Sequence, residues 1–191
     1  HMPDMDGFTV ATEIRRRILL AFEAAERESD PERVRSWLTF VIVGGGPTGV
    51  ELAGTLGELT KDTLRYNFRH INPAESRILL VEGTDRILPA YPADLSAKAT
   101  AALARLGVSV RTGATVTDVQ AEAVTLRGDK QSEHIATRTV VWAAGVQASP
   151  LGRILATATG AELDRVGRVM VAPDLRVPGH PDLFVIGDLA H

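Results

Sequence analysis

The 191-residue sequence contains no cysteine. Structural disulfides, thiolate metal sites and a redox-active CxxC pair are therefore excluded, so in a redox role the electrons would travel through something other than protein sulfur. Nor is there an excess of positive charge. Lys and Arg number 21 against 24 Asp and Glu, a formal net charge of -3, which offers no broad attraction to phosphate polymers or anionic lipid heads. Nucleic acid is not an expected partner. No apolar run approaches the ~20 residues a membrane-spanning helix needs, and no basic-then-apolar signal opens the chain, so a cytoplasmic setting is expected. Metal-ligand spacing is missing too: His70, His134 and His180 stand in polar or loop-like contexts and read as solvated side chains, so no metal site is expected.

With 45% hydrophobic and 24% charged residues, the chain has the balance of a globular domain with a real core. His1-Met2 looks like the scar of a cleaved tag, and the natural sequence is expected to begin at Pro3 as an interior piece of a longer protein. Residues 3–38 read as a helical segment. Apolar Ile14, Ile18, Phe22 and Ala25 recur at helical spacing within residues 10–27, and Asp30-Pro31 caps a second, short helix reaching Trp37. Thr39–Val43 is a continuous β-branched and aromatic run, the pattern of a strand buried on both faces. A glycine cluster follows at once. Beyond it Val50, Leu52, Ala53, Leu56 and Leu59 keep helical spacing, and the helix is expected to continue through Tyr66 and Phe68. Residues 77–82 form the second buried strand, 94–106 a second crossover helix ending at Gly107, and Val108–Arg111 a third strand.

These elements make a βαβαβ unit with parallel pairing and right-handed crossovers. Short alternating segments at 116–119, 123–126 and 134–137, broken by Gly128-Asp129, predict a small antiparallel meander. Residues 139–143 return to the buried-strand pattern. After Pro150 come a helix-like stretch, a strand candidate at 168–171 and a last apolar strand at 183–186, closed by Gly187-Asp188. The fold class expected is α/β: a Rossmann-like parallel sheet with a β-meander, three layers in all. Residues 39–147 form the dinucleotide-binding domain and 148–191 a return segment.

Gly44-Gly45-Gly46-Pro47-Thr48-Gly49 satisfies GxGxxG between a strand and a helix, where the chemistry requires it. Gly44 permits the tight turn, Gly46 lets a pyrophosphate approach the backbone, and Gly49 lets the helix lie close on the sheet. The helix start supplies free N–H groups and the positive end of its dipole to the phosphates. A simple strand-to-helix connector would show similar glycines; an acidic residue ending the next strand favours dinucleotide binding, with an exposed strand-end charge as its other reading. Glu82 is that residue. Its carboxylate can accept both ribose hydroxyls and would repel the 2′-phosphate of NADP, which favours NADH. Its distance from Gly44, 38 residues, is about twice the usual ~20, explained here by a long first helix. Gly83 belongs to the same site, and Arg86 lies close enough to soften discrimination against a 2′-phosphate.

The string from Phe40 to Gly54, with Pro47-Thr48-Gly49-Val50-Glu51 at its centre, resembles the NADH-binding motif of type II NADH dehydrogenases. So, in order, do the Arg-rich helix around Glu13-Ile14-Arg15-Arg16-Arg17, the Val81-Glu82 strand end, the stretch Trp142-Ala143-Ala144-Gly145-Val146, and the closing Gly187-Asp188-Leu189-Ala190-His191. The glycine, Ala-Ala-Gly and Gly-Asp stretches are shared by the wider two-dinucleotide flavoprotein superfamily. The resemblance implies an NADH domain inserted into an FAD domain, with hydride passing from NADH to the flavin and electrons then passing to a quinone. It places Ala144 and Gly145 at the nicotinamide end, Gly187 and Asp188 on FAD, and Glu51 near the nicotinamide as a candidate catalytic carboxylate. An ordinary helix-start glutamate is an equal reading of Glu51. No second glycine fingerprint is present for the FAD pyrophosphate, so the chain alone is expected to bind NADH, lack FAD and transfer nothing. Any contact with the cytoplasmic membrane face would come through segments outside this sequence, and a homodimer is left open. A ferredoxin- or rubredoxin-reductase-like domain and a non-catalytic NAD-sensing module are the alternatives.

Overall fold

The computed structural model describes residues 7–128, 131–145 and 147–191. The tag-like His1-Met2, Pro3, Asp129 of the expected meander turn and Val146 lie outside the described residues. Two compact units are resolved, one ending at Ala144 and one spanning Gly145–His191.

In the first unit, α1 (Gly7–Arg27) and α2 (Pro31–Trp37) precede β1 (Thr39–Val43). The Asp30 side chain accepts from the Glu32 amide at the start of α2, and Pro31 takes a first-turn position where no N–H is needed. Then come α3 (Pro47–Glu58), β2 (Arg77–Val81), α4 (Ala93–Arg105) and β3 (Val108–Arg111). The meander is β4 (Thr115–Val119), β5 (Ala123–Arg127) and β6 (Ser132–Ala136), and β7 (Thr139–Trp142) follows. A parallel sheet runs in the order β3-β2-β1-β7, and the meander forms a separate antiparallel sheet, β4-β5-β6.

The two-residue period of the strands divides the core. Phe40, Ile42, Ile78 and Leu80 face the helices and pack with Ile18, Phe22, Ala53, Leu56 and Leu103. Val41, Val43, Leu79 and Val81 face the other way and pack against Val124, Leu126 and Ile135 of the meander. The expected three-layer α/β fold is therefore present: helices, parallel sheet, meander.

Four expectations are corrected. The helix after the glycines does not continue through Tyr66 and Phe68: α3 gives way to one π-helical turn, Leu59–Thr63, and ends there. The amides of Arg69, His70 and Ile71 donate instead to the Glu26 carboxylate on α1, while Phe68 stacks against Phe22 at 5.9 Å. The apolar spacing was thus satisfied by a folded-back connector. Second, β7 is not buried on both faces. It is an edge strand, with Trp142 60% exposed.

The other two corrections lie in the second unit, which contains α5 (Leu151–Thr159), β8 (Arg176–Val177) and β9 (His180–Phe184). Residues 168–171 form no strand: Val169 makes only isolated bridges to Leu163 and Ala190. The closing strand is displaced towards the N-terminus, ending at Phe184, because its ladder with β8 shifts register and the Val185 amide turns to the Leu175 carbonyl. Val169, Val177 and Val185 make this unit's small core.

Candidate functional site

The parallel register of β1 and β2, with Val43 opposite Val81, brings the glycine turn and the end of β2 side by side. Each glycine in the turn meets different surroundings. Gly44 has φ +112°, a conformation L side chains rarely adopt, and a Cβ there would lie 2.8 Å from the Ala144 amide nitrogen. A Cβ on Gly49 would overlap the Gly44 carbonyl oxygen, so its absence lets α3 lie on the sheet. At Gly46 a Cβ would meet nothing within 4 Å. The backbone at Gly46 is bare and faces open space, at the start of a helix whose first turn has no side-chain cap. The Thr48 and Gly49 amides lie in that turn, where an α-helix offers no internal acceptor. Pro47 and Thr48 are exposed beside it. Free N–H groups at such a helix start can bind an anion.

Glu82 stands next to the turn and is half-buried. One carboxylate oxygen, Oε2, accepts the Gly45 amide at 2.6 Å, and Oε1 accepts the Thr84 amide at 2.8 Å and its hydroxyl at 3.0 Å. Burial pushes the Glu82 pKa up, but these donors outweigh it, and the group is held below the ordinary carboxylate value. It is an anion with acceptor capacity left on one oxygen. Gly45 is closed in: a Cβ there would meet Glu82 Cβ and Ile87 Cγ2, each at 2.9 Å. Gly83 is exposed, and Arg86 turns its guanidinium back to the Pro89 carbonyl at 3.0 Å. Glu51 is exposed on α3.

Gly44 to Gly49, Glu82, Gly83, Arg86 and Ala144 thus belong to the first unit, and Glu51 projects from the same helix. Gly145, at φ +68°, begins the second unit. Gly187 and Asp188 lie in a 3-10 turn of that unit, Gly187 at φ +72° with open space where a Cβ would be, and Asp188 exposed. Sequence reasoning missed Thr84, Ile87 and Leu88, which shape the site from the loop after β2. Their only sequence signal is position within the loop that follows the acidic residue. Among the described residues no cluster of His, Asp and Glu could hold a metal ion.

Comparison with known proteins matches residues 2–191 to the family described as pyridine nucleotide-disulphide oxidoreductase. The chain belongs to that family. Among pyridine nucleotide-disulphide oxidoreductases it is similar to the type II NADH:quinone oxidoreductase Ndh of Mycobacterium tuberculosis, 49% identical over 98% of this chain and 41% of the relative. NdhA of the same organism is 46% identical over 98% of this chain and 40% of its own length. The chain therefore spans about two fifths of these relatives. NDH2 from Plasmodium falciparum, solved in complex with NADH, matches 94% of this chain and 37% of that one with a TM-score of 0.68. At 24% identity, that likeness supports the fold.

Proposed function

We propose that this chain is the NADH-binding part of an FAD-dependent NADH:quinone oxidoreductase. The observation that carries the reading is Gly46: within a turn whose other glycines are closed in, Gly44 and Gly49 by backbone and Gly45 by the Glu82 and Ile87 side chains, it is open, and it sits at an uncapped helix start beside an ionised Glu82. In this reading the Thr48 and Gly49 amides bind the NADH pyrophosphate, and Gly45 and Pro47 shape the turn. Glu82 accepts the adenosine ribose hydroxyls and repels a 2′-phosphate, while Gly83 leaves room for the adenosine. Arg86, engaged with Pro89, is kept from offering a 2′-phosphate its charge. Ala144 and Gly145 give the nicotinamide a side-chain-poor approach, and Glu51 supplies a carboxylate at the same end.

The open Gly187 and exposed Asp188 fit one hydroxyl-bearing stretch of FAD, its ribitol. FAD, when bound, supplies the two-electron acceptor that takes the hydride and returns electrons to a quinone. The protein's part is alignment of the coenzyme and exclusion of water. The sequence holds one glycine fingerprint, spent here on NADH, so the 191-residue chain binds NADH without turning it over. No helix among the described residues is long and apolar enough to cross a membrane; contact with the cytoplasmic membrane face is assigned to the remainder of a longer enzyme. The test is titration of the purified protein with NADH, following coenzyme fluorescence, together with dye reduction. Saturable binding without dye reduction is expected. Absence of binding would overturn the coenzyme reading, and flavin-coloured protein reducing the dye would overturn the incomplete FAD site.

A further inference from the structure

The peptide of Gly45 is held from both ends by the loop after β2. Its N–H donates to Glu82 at 2.6 Å, and its carbonyl accepts the Leu88 amide at 2.7 Å. The carboxylate that is placed to read the ribose therefore also anchors the phosphate turn. Its own orientation depends on Thr84, which gives Oε1 both its amide and its hydroxyl. The Thr84 hydroxyl also lies 2.9 Å from the Arg86 carbonyl, so its single proton is shared between the acid and the loop. Thr84 is itself pinned: its carbonyl accepts the Gly113 amide at 2.8 Å, and the neighbouring Glu82 carbonyl accepts the Ala114 amide at 3.1 Å. A hydroxyl on so fixed a backbone can hold a carboxylate in one pose.

We infer that Thr84 is a positioning residue for coenzyme selection, acting through Glu82. It saturates Oε1, so that Oε2 alone divides itself between the Gly45 amide and a ribose hydroxyl. Without the hydroxyl Oε1 keeps only the Thr84 amide, and the less tightly held carboxylate loosens the phosphate turn and weakens rejection of a 2′-phosphate together. This rests on the NADH reading above.

The test uses Thr84→Val, which keeps the shape and removes the hydroxyl, and Thr84→Ser, which restores it, each made in the natural sequence and in a Glu82→Ala background. Dissociation constants for NADH and NADPH are measured by fluorescence titration, with thermal melts to confirm folding. Thr84→Val is expected to weaken NADH binding about five- to tenfold, the worth of one hydrogen bond to a charged group at a partly exposed site, and to narrow the gap to NADPH. Thr84→Ser recovers both. In Glu82→Ala the Thr84→Val change has no further effect. The acid limb of NADH affinity moves to higher pH in Thr84→Val, since a donor that favours ionised Glu82 is gone. The other charged groups nearby, Asp85, Arg86 and Arg111, are unchanged by the substitution; Arg86 is engaged with Pro89 and Arg111 with Glu133. Equal losses with and without Glu82, or no loss at all, would overturn the inference while leaving the NADH reading intact. Failure of the unsubstituted protein to bind NADH would overturn that reading instead.

Discussion

Gly46→Val separates coenzyme binding from folding. Gly46 has φ -72° and ψ 179°, extended backbone open to any L residue, and a Cβ there meets nothing within 4 Å. Two small effects on stability oppose each other. A side chain removes conformational entropy from the unfolded chain, worth about 0.4–1 kcal/mol when the native backbone suits it, whereas an aliphatic residue is a poorer helix N-cap than glycine by about 0.5–1 kcal/mol. The net is within about 1 kcal/mol, a melting shift of no more than about 4 °C for a protein of this size. Binding should change far more. If the isopropyl group fills the space taken by the pyrophosphate, at least two N–H bonds to a charged group are lost, at about 1.5–3 kcal/mol each. That is at least about 3 kcal/mol, or roughly a hundredfold in affinity. Thermal melts and NADH fluorescence titration on the same preparation decide the matter. A folded variant with unchanged affinity would show that the phosphates do not sit over Gly46, and a variant that fails to fold would show that the space is not open.

Gly49→Ala should behave in the opposite way, costing about 1–3 kcal/mol of stability through overpacking, because its Cβ overlaps the Gly44 carbonyl and Gly44 is backed by Ala144; an unchanged melting temperature would contradict this. Glu82→Arg is expected to raise affinity for NADPH relative to NADH, and a constant ratio in paired titrations would place the ribose contact elsewhere. Phe22→Ala, removing a fully buried ring that meets Phe40 at 5.3 Å, should cost about 3–5 kcal/mol in urea denaturation; a loss below 1 kcal/mol would mean that the helical layer is not docked as described. In the second unit, burial pushes the Asp164 carboxyl up, but the Arg168 amide and guanidinium and the Val166 amide pull it from its ordinary 3.8 to about 2. A folded pKa below the unfolded one stabilises fully above about pH 4 and fades as pH falls towards 2. Asp164→Asn should flatten that acid limb in denaturation measured from pH 5 to 2.

The first unit was legible because its signals are strong and local. Thr39–Val43 and Arg77–Val81 are largely apolar runs with one structural solution, a parallel pair covered on both faces, and they pair in a single unbroken register. The alternating segments gave the meander to within two residues. Where periodicity was ambiguous it misled: the helix expected through Tyr66 and Phe68 is not there, Phe68 meets Phe22 by tertiary contact, and the Glu26 carboxylate accepts from the departing backbone. In the second unit the strands are two and five residues long and β9 is largely exposed, so burial left little pattern to read. The glycines and Glu82 were visible as a motif. Thr84, Ile87 and Leu88 were not, since their part in the site depends on how the loop between β2 and α4 folds back rather than on residue type.

The long separation between the glycine turn and its acidic partner finds its answer in the sheet, not in the helix that was expected to fill it. A parallel pair fixes which residues stand opposite one another, and that offset is constant along the ladder: Thr39 faces Arg77 and Val43 faces Val81. One step beyond the last pair, Gly44 and Glu82 stand at the same offset. The connector between them can therefore be a helix, a π-turn and an irregular fold-back without disturbing the site, provided its ends reach the two strands. What must be conserved physically is the register and the two hydrogen bonds that hold Gly45, one to Glu82 and one from Leu88. Shortening the stretch between Leu64 and Pro73 should accordingly lower stability, through loss of the Glu26 bonds, while NADH affinity of the folded protein stays within about twofold. A large loss of affinity in a variant that retains its melting cooperativity would mean that the connector, and not the strand register, positions Glu82.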